Sequence, residues 1–165
     1  MPDIKQTQDT RRAFVDTLKE LSKKDDKIVV IIPDVGFNYL SDPNLPFRVL
    51  NLGVTEQSAT IIAATLALSG FRVYFYSMIN FVLFRNAEMV RNGIVCHKAP
   101  VTLLGVKGSS SYKFLGFSHN MLHPDEDINF CKNIGLKYYT PESNPEVRNS
   151  ILDIYDKKIP AYIRL

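Results

Sequence analysis

Short apolar runs alternate with longer amphipathic segments along this chain. The runs are Ile28–Ile32, Phe47–Leu50, Arg72–Tyr76, Val101–Val106, Leu136–Tyr139 and Ala161–Arg164, each rich in β-branched or aromatic residues. Helix-like segments lie between most of them. This alternation predicts an α/β fold, a three-layer α/β/α arrangement around a mostly parallel sheet of about six strands. Ile28–Ile32 and Val101–Val106 are almost continuously apolar, as strands covered on both faces should be. The link from Ile32 to Phe47 carries Pro33, Gly36, Pro43 and Pro46 and reads as a long loop without a helix.

The helical segments differ in kind. In the first, Thr10 to Ser22, the residues Ala13, Phe14, Thr17, Leu18 and Leu21 form one stripe, with Asp9 or Thr10 as the cap. The last, Glu146 to Asp156, turns Val147, Ile151, Ile154 and Tyr155 inward. The second, Thr55 to Ser69, has no charge on any face after Gln57. A helix that is apolar all round has to be covered all round. The third, Phe81 to Val95, is charged only at Arg85, Glu88 and Arg91. Two adjacent helices without a clear solvent face predict an obligate oligomer.

Composition narrows the class. A length of 165 residues, 45% hydrophobic and 22% charged, matches one ordinary globular domain. No run approaches the length of a membrane span, and Met1 to Arg12 lacks the apolar core of a secretory signal. The net charge of +3 is interspersed, so no nucleic-acid stripe is present. Cys96 and Cys131 sit in unrelated contexts and read as free thiols of a reducing, cytoplasmic setting. None of the eight glycines forms G-x-G, so both the dinucleotide fingerprint and the Walker A loop are missing. No C-x-x-C argues for zinc, and no G-x-S-x-G argues for a hydrolase elbow.

Glu56 is the most informative candidate. It opens the most hydrophobic helix, just after Gly53. It reads either as a first-turn acid favoured by the helix dipole or as an interface-buried carboxyl with a raised pKa suited to proton transfer. The lack of any other charge along the helix favours the second. Asp34 follows the buried strand Ile28–Ile32, at a strand end where parallel sheets bind ligands, or is simply a turn former. His119 lies in the Gly- and Ser-rich loop from Ser109 to His123, and His97 at a helix end where a dipole contact accounts for it.

The segment Asn51-Leu-Gly-Val-Thr-Glu-Gln57, followed by Ile62-Ala-Ala-Thr-Leu-Ala-Leu-Ser-Gly70, resembles the pyrimidine-binding domain of the transketolase family of thiamine-diphosphate enzymes. Arg12-Ala-Phe, Asp34-Val-Gly, Phe81 before Arg85 and Val90-Arg91, Phe117-Ser-His-Asn, Glu126-Asp-Ile and Pro160 to Leu165 match in the family's order. The resemblance implies that Glu56 contacts N1′ of the cofactor's aminopyrimidine and promotes its imino tautomer. It also implies that Phe81 stacks on that ring with Phe84 in support, that Asp34 is an acid near the cofactor, and that His119 lines the substrate channel as a second catalytic group.

The departures carry equal weight. The family's Gly-Asp-Gly…Asn motif for the diphosphate and its metal does not occur in these 165 residues, and the family's C-terminal domain is not expected in this subunit. Residues 1–165 therefore read as a single pyrimidine-binding domain, one subunit of a split enzyme. The resemblance implies thiamine diphosphate as cofactor, with Mg²⁺ held by a complementary diphosphate-binding subunit. The expected assembly is an α2β2 heterotetramer, or at least a homodimer, with no nucleic acid and no membrane as partner. The expected reaction is transfer of a two-carbon ketol or acyl unit between carbonyl compounds, on sugars of an unusual kind. Decarboxylation of a 2-oxo acid, or a degenerate non-catalytic domain, remains the alternative.

Overall fold

The computed structural model describes residues 9–108 and 110–165. The first eight residues of the stretch read as carrying no secretory signal lie outside it, as does Ser109, the first residue of the predicted loop. Chain order is α1 (Thr10–Leu21), β1 (Ile28–Ile32), the single turn α2 (Phe37–Leu40), β2 (Arg48–Asn51), α3 (Glu56–Leu68) and β3 (Arg72–Met78). A helical stretch over 80–96 follows, with α4 (Ala87–Met89) in its middle. Then come β4 (Val101–Val106), a 3₁₀ segment (Ser110–Ser118), α5 (Glu126–Ile134), β5 (Lys137–Tyr139), α6 (Asn144–Lys157) and β6 (Ala161–Arg164).

The six strands form one sheet in the order β2-β1-β3-β4-β6-β5, and every pairing is parallel. The expected α/β architecture is present, and wholly rather than mostly parallel among the described residues. Alternation along each strand splits the core in two. Val29, Ile31, Val73, Phe75 and Leu103 meet α3, the 80–96 stretch and α5. Val30, Ile32, Tyr74, Tyr76 and Leu104 meet α1 and α6. Each such side chain contributes roughly 1.5–3 kcal/mol by leaving water. The chain leaves β1 toward β2 on one side and resumes at β3 on the other. Their carboxyl ends therefore flank a crevice.

Caps set the helix starts. Asp9 accepts from the Arg12 amide at 3.2 Å and opens α1. Ser143 accepts from the Glu146 amide at the start of α6.

Three expectations need correction. The link from Ile32 to Phe47 is not free of helix, because Phe37–Leu40 makes one turn after Gly36, whose φ is 83°. The third helix is not continuous. It is a π-turn at Asn80–Phe84, α4, and a second π-turn at Val90–Cys96. The Arg85 amide reaches back five residues to the Asn80 carbonyl at 2.9 Å, the widened bond that defines such a turn. The loop preceding His119 is largely 3₁₀ helix, kinked at Gly116. As for α3, this chain by itself covers only one side of it. Ala59, Ala63, Ala64 and Ala67 are buried, whereas Ile61, Ile62 and Leu68 are 42%, 41% and 56% exposed. Among the described residues no helix is long and apolar enough to cross a membrane.

Candidate functional site

The site begins at the first residue of α3. Thr55 gives this helix no side-chain cap, but its hydroxyl donates to the Leu52 carbonyl at 2.8 Å and shapes the entry. Glu56 then enters the helix with its side chain only 3% exposed. Helix geometry turns it toward the 80–96 stretch, where Arg85 Nη1 donates to Glu56 Oε1 at 2.6 Å. One residue on, Gln57 Nε2 donates to the Arg85 carbonyl at 3.2 Å. The start of α3 is thus tied to Arg85 by both side chain and backbone.

Arg85 also covers Phe81. Its guanidinium carbon lies 4.0 Å from the centre of the Phe81 ring, because residues four apart on a helical turn share a face. The wide turn would leave the Phe81 carbonyl short of a partner, and Asn86 Nδ2 supplies one at 2.8 Å. Phe81 meets His119 edge to face, with ring centres 4.9 Å apart.

His119 is held by its own loop and by Asn80. Ser118 Oγ lies 2.7 Å from His119 Nδ1. Tyr112 stacks parallel to the imidazole at 6.4 Å. Asn80 Nδ2 donates to the carbonyls of Phe117 at 2.9 Å and Asn120 at 3.3 Å, which straddle the histidine. Gly108 allows this loop to lie against the end of β4, since a Cβ there would collide with the His119 carbonyl and the Asn120 side chain.

These rings wall a cleft of about 290 Å³ at the carboxyl ends of β1, β3 and β4. Asp34, Tyr39, Tyr76, Ser77, Phe81 and His119 are among its lining residues. Asp34 takes a left-handed φ of 58°, stabilised where its amide donates to Asn51 Oδ1 at 3.1 Å. Burial pushes the Tyr76 phenol well above its ordinary range, and burial together with the Asp9 hydrogen bond raises Tyr39. Both hydroxyls stay protonated near neutrality. Ser77 Oγ is buried with no hydrogen-bond partner among the described residues. Volume alone would not select this cleft. A hollow of about 360 Å³ beside β2 is larger, but Asp42 is its one ionisable lining residue.

The structure therefore brings Asp34, Phe81 and His119 to one cleft and joins Glu56 to them through Arg85. Phe84 lies apart. It packs edge-on against Phe130 at 6.1 Å on the α5 side of the sheet and is not among the residues lining the cleft. The widened turn rotates the residues after Phe81 away from an α-helical register, and this places Phe84 toward the core. Arg85 and Asn80 were missed as site residues. Their only sequence signals were a cation four residues after Phe81 and an amide one residue before it.

His97 Nδ1 lies 2.6 Å from the Asn92 carbonyl, a local helix-end contact. Burial pushes the Cys131 thiol up to about 12, so it is inert at neutral pH. Among the described residues no cluster of three His, Cys, Asp or Glu side chains could hold a metal ion.

Comparison with known proteins agrees with the fold. Residues 6–165 match the family model described as transketolase, pyrimidine binding domain. The chain is 32% identical to one of the subunits of the apulose-4-phosphate transketolase of Phocaeicola vulgatus, covering 94% of this chain and 50% of that protein. It is 28% identical to the SqwH component of the 6-deoxy-6-sulfo-D-fructose transketolase of a Clostridium species, over 94% of this chain and 48% of that protein. Among solved structures it is similar to a split gene transketolase described as an inactive β4 tetramer. The TM-score is 0.80 at 27% identity, over 94% of this chain and 50% of the other. The chain thus spans about half the length of these relatives.

Proposed function

Because the chain belongs to the transketolase family, as its pyrimidine-binding domain, we propose that it serves one component of a split thiamine-diphosphate-dependent transketolase. Its role is to bind the cofactor's aminopyrimidine and to help transfer a two-carbon ketol unit between sugars of an uncommon kind. The observation that carries this reading is the buried Glu56 carboxylate bonded to a flat cation that stacks on Phe81. A carboxylate beside an aromatic face is a site for a planar ring with N–H groups at its edge, and Arg85 stands in for such a ring here. The donor set therefore fits an aminopyrimidine.

Thiamine diphosphate supplies, when bound, a nucleophilic carbon that breaks and remakes the bond beside a carbonyl. The residues of this chain do the rest of the work assigned to it. Glu56, in a place with little water, would hold the ring at its polar edge and share a proton with a ring nitrogen. Such general acid–base assistance contributes about 10²–10⁴-fold. Phe81 fixes the plane of the ring. His119, on the wall of the cleft next to Phe81, donates or accepts a hydrogen bond at a substrate oxygen. The hydroxyls of Tyr39 and Tyr76, the Asp34 carboxylate and the Asn38 amide suit a polyhydroxylated substrate. The diphosphate and Mg²⁺ are assigned to a complementary chain, and the open apolar side of α3 supports an assembly. The names of the relatives, for apulose 4-phosphate and a sulfonated fructose, support an uncommon ketose as donor.

The test is reconstitution with a diphosphate-binding chain, Mg²⁺ and thiamine diphosphate, following ketol transfer to an aldehyde. The chain alone should be inactive, and Glu56→Gln should lower kcat in the complex by at least about 100-fold. Full activity of Glu56→Gln would overturn the assignment. Release of CO₂ from a 2-oxo acid in place of ketol transfer would overturn the reaction type.

A further inference from the structure

Arg85 takes up both contacts that the proposed reading gives to the cofactor ring. We infer that the Arg85 side chain is an internal occupant of the pyrimidine site, which the ring displaces when it binds. This rests on the function proposed above and adds a residue-level mechanism for access to that site.

The argument is one of shape and donors. A guanidinium is flat and delocalised, stacks on aromatic faces and donates N–H groups within its plane. Here it lies 4.0 Å from the Phe81 ring centre and donates to Glu56 at 2.6 Å. An aminopyrimidine is also flat, and it carries polar groups on its edge. A stacked ring face and a hydrogen-bonded carboxylate oxygen each serve one such partner at a time, so the two groups compete.

The surroundings allow exchange. The Arg85 backbone is pinned, its amide to the Asn80 carbonyl at 2.9 Å and its carbonyl by Gln57 at 3.2 Å. Its side chain is held only by Glu56 and the Phe81 face among the contacts described and is 40% exposed, so a departing guanidinium can rehydrate at once. Glu56, at 3% exposure, cannot be left alone. A buried carboxylate that loses its partner is strongly destabilised. Arg85 therefore leaves as another donor arrives, and until then it keeps the site dry and satisfied in the free chain.

The experiment compares wild type, Arg85→Ala, Arg85→Met and Arg85→Lys, each reconstituted with the complementary chain and Mg²⁺. Thiamine diphosphate affinity is read by calorimetry. Removing an occupant should tighten binding, so Arg85→Ala and Arg85→Met should lower Kd by about five- to tenfold. Arg85→Lys, which keeps the charge and loses the flat stack, should fall between them and wild type. In parallel, the Tm of the free chain should drop for Arg85→Ala, because Glu56 is then unpaired. Arg85→Met keeps bulk over Phe81 and serves if the alanine variant folds poorly. Weaker or unchanged cofactor binding in both neutral variants, with wild type binding normally, overturns the occupant role while sparing the cofactor assignment. Absence of binding by every protein, wild type included, overturns the cofactor assignment and this inference with it.

Discussion

Asp127 offers a sharp test of how the sheet is joined to the loop that carries His119. Its carboxylate is fully buried at the start of α5. It accepts from Tyr162 Oη at 2.7 Å and Arg164 Nε at 2.9 Å, and Arg164 Nη2 makes a further short ion pair with its other oxygen. Arg164 also reaches the Pro124 carbonyl at 3.1 Å and so holds the residues just before α5. Both ends of this network are on β6, so one side chain fastens α5 to the strand. Asp127→Ala leaves a fully buried phenol without its acceptor and a guanidinium that is 11% exposed with only the Pro124 carbonyl and the exposed Asp125 carboxylate. Removing one partner of such a pair costs about 3–5 kcal/mol. In a chain of this length that corresponds to a fall in Tm of roughly 6–20 °C. Urea unfolding followed by circular dichroism measures it directly. Asp127→Leu combined with Arg164→Met, which removes both charges and keeps bulk, should recover most of the loss. A loss below about 1 kcal/mol for Asp127→Ala would refute the reasoning, because the network would then be worth no more than a surface pair.

Two further outcomes follow from the same principles. Asn80→Ala removes the amide that bridges the carbonyls on either side of His119. It should cost about 1 kcal/mol and speed amide exchange across the Ser110–Ser118 segment roughly fivefold, while α6 exchanges as before. Asp25→Asn should destabilise by about 1 kcal/mol at neutral pH. Burial alone would raise the Asp25 carboxyl, but hydrogen bonds from the Lys27 amide, Tyr155 and Arg72 outweigh it and hold the pKa below 3.8. The folded-state value is depressed, so the stabilisation is complete above the unfolded value and vanishes as pH falls through the folded one. Stability curves of wild type and Asp25→Asn should therefore converge in acid, once pH has fallen through the depressed folded-state value, and stay apart above about pH 5.

The large features were legible in the residues themselves. Continuous apolar runs at Ile28–Ile32 and Val101–Val106 announce buried parallel strands, because only a strand covered on both faces lacks polar alternation. Glu56 stood out as the lone acid of a helix with no other charge, and it is buried at the helix start. These signals are local, carried by composition and by periods of two and 3.6 residues. What three dimensions decided was which groups meet. Neither the widened turn at Asn80–Phe84 nor its effect on Phe84 follows from periodicity, since one extra residue in a turn changes no pattern of polarity. Arg85 is 29 positions from Glu56, and Asn80 is 37 from Phe117. Such contacts depend on the way the sheet order β2-β1-β3-β4-β6-β5 gathers the carboxyl ends of β1, β3 and β4 at one crevice. Pairing across that distance is a property of the closed fold. A linear sequence names the candidate residues, and only the packed sheet and its loops select Arg85 as the partner that Glu56 and Phe81 share.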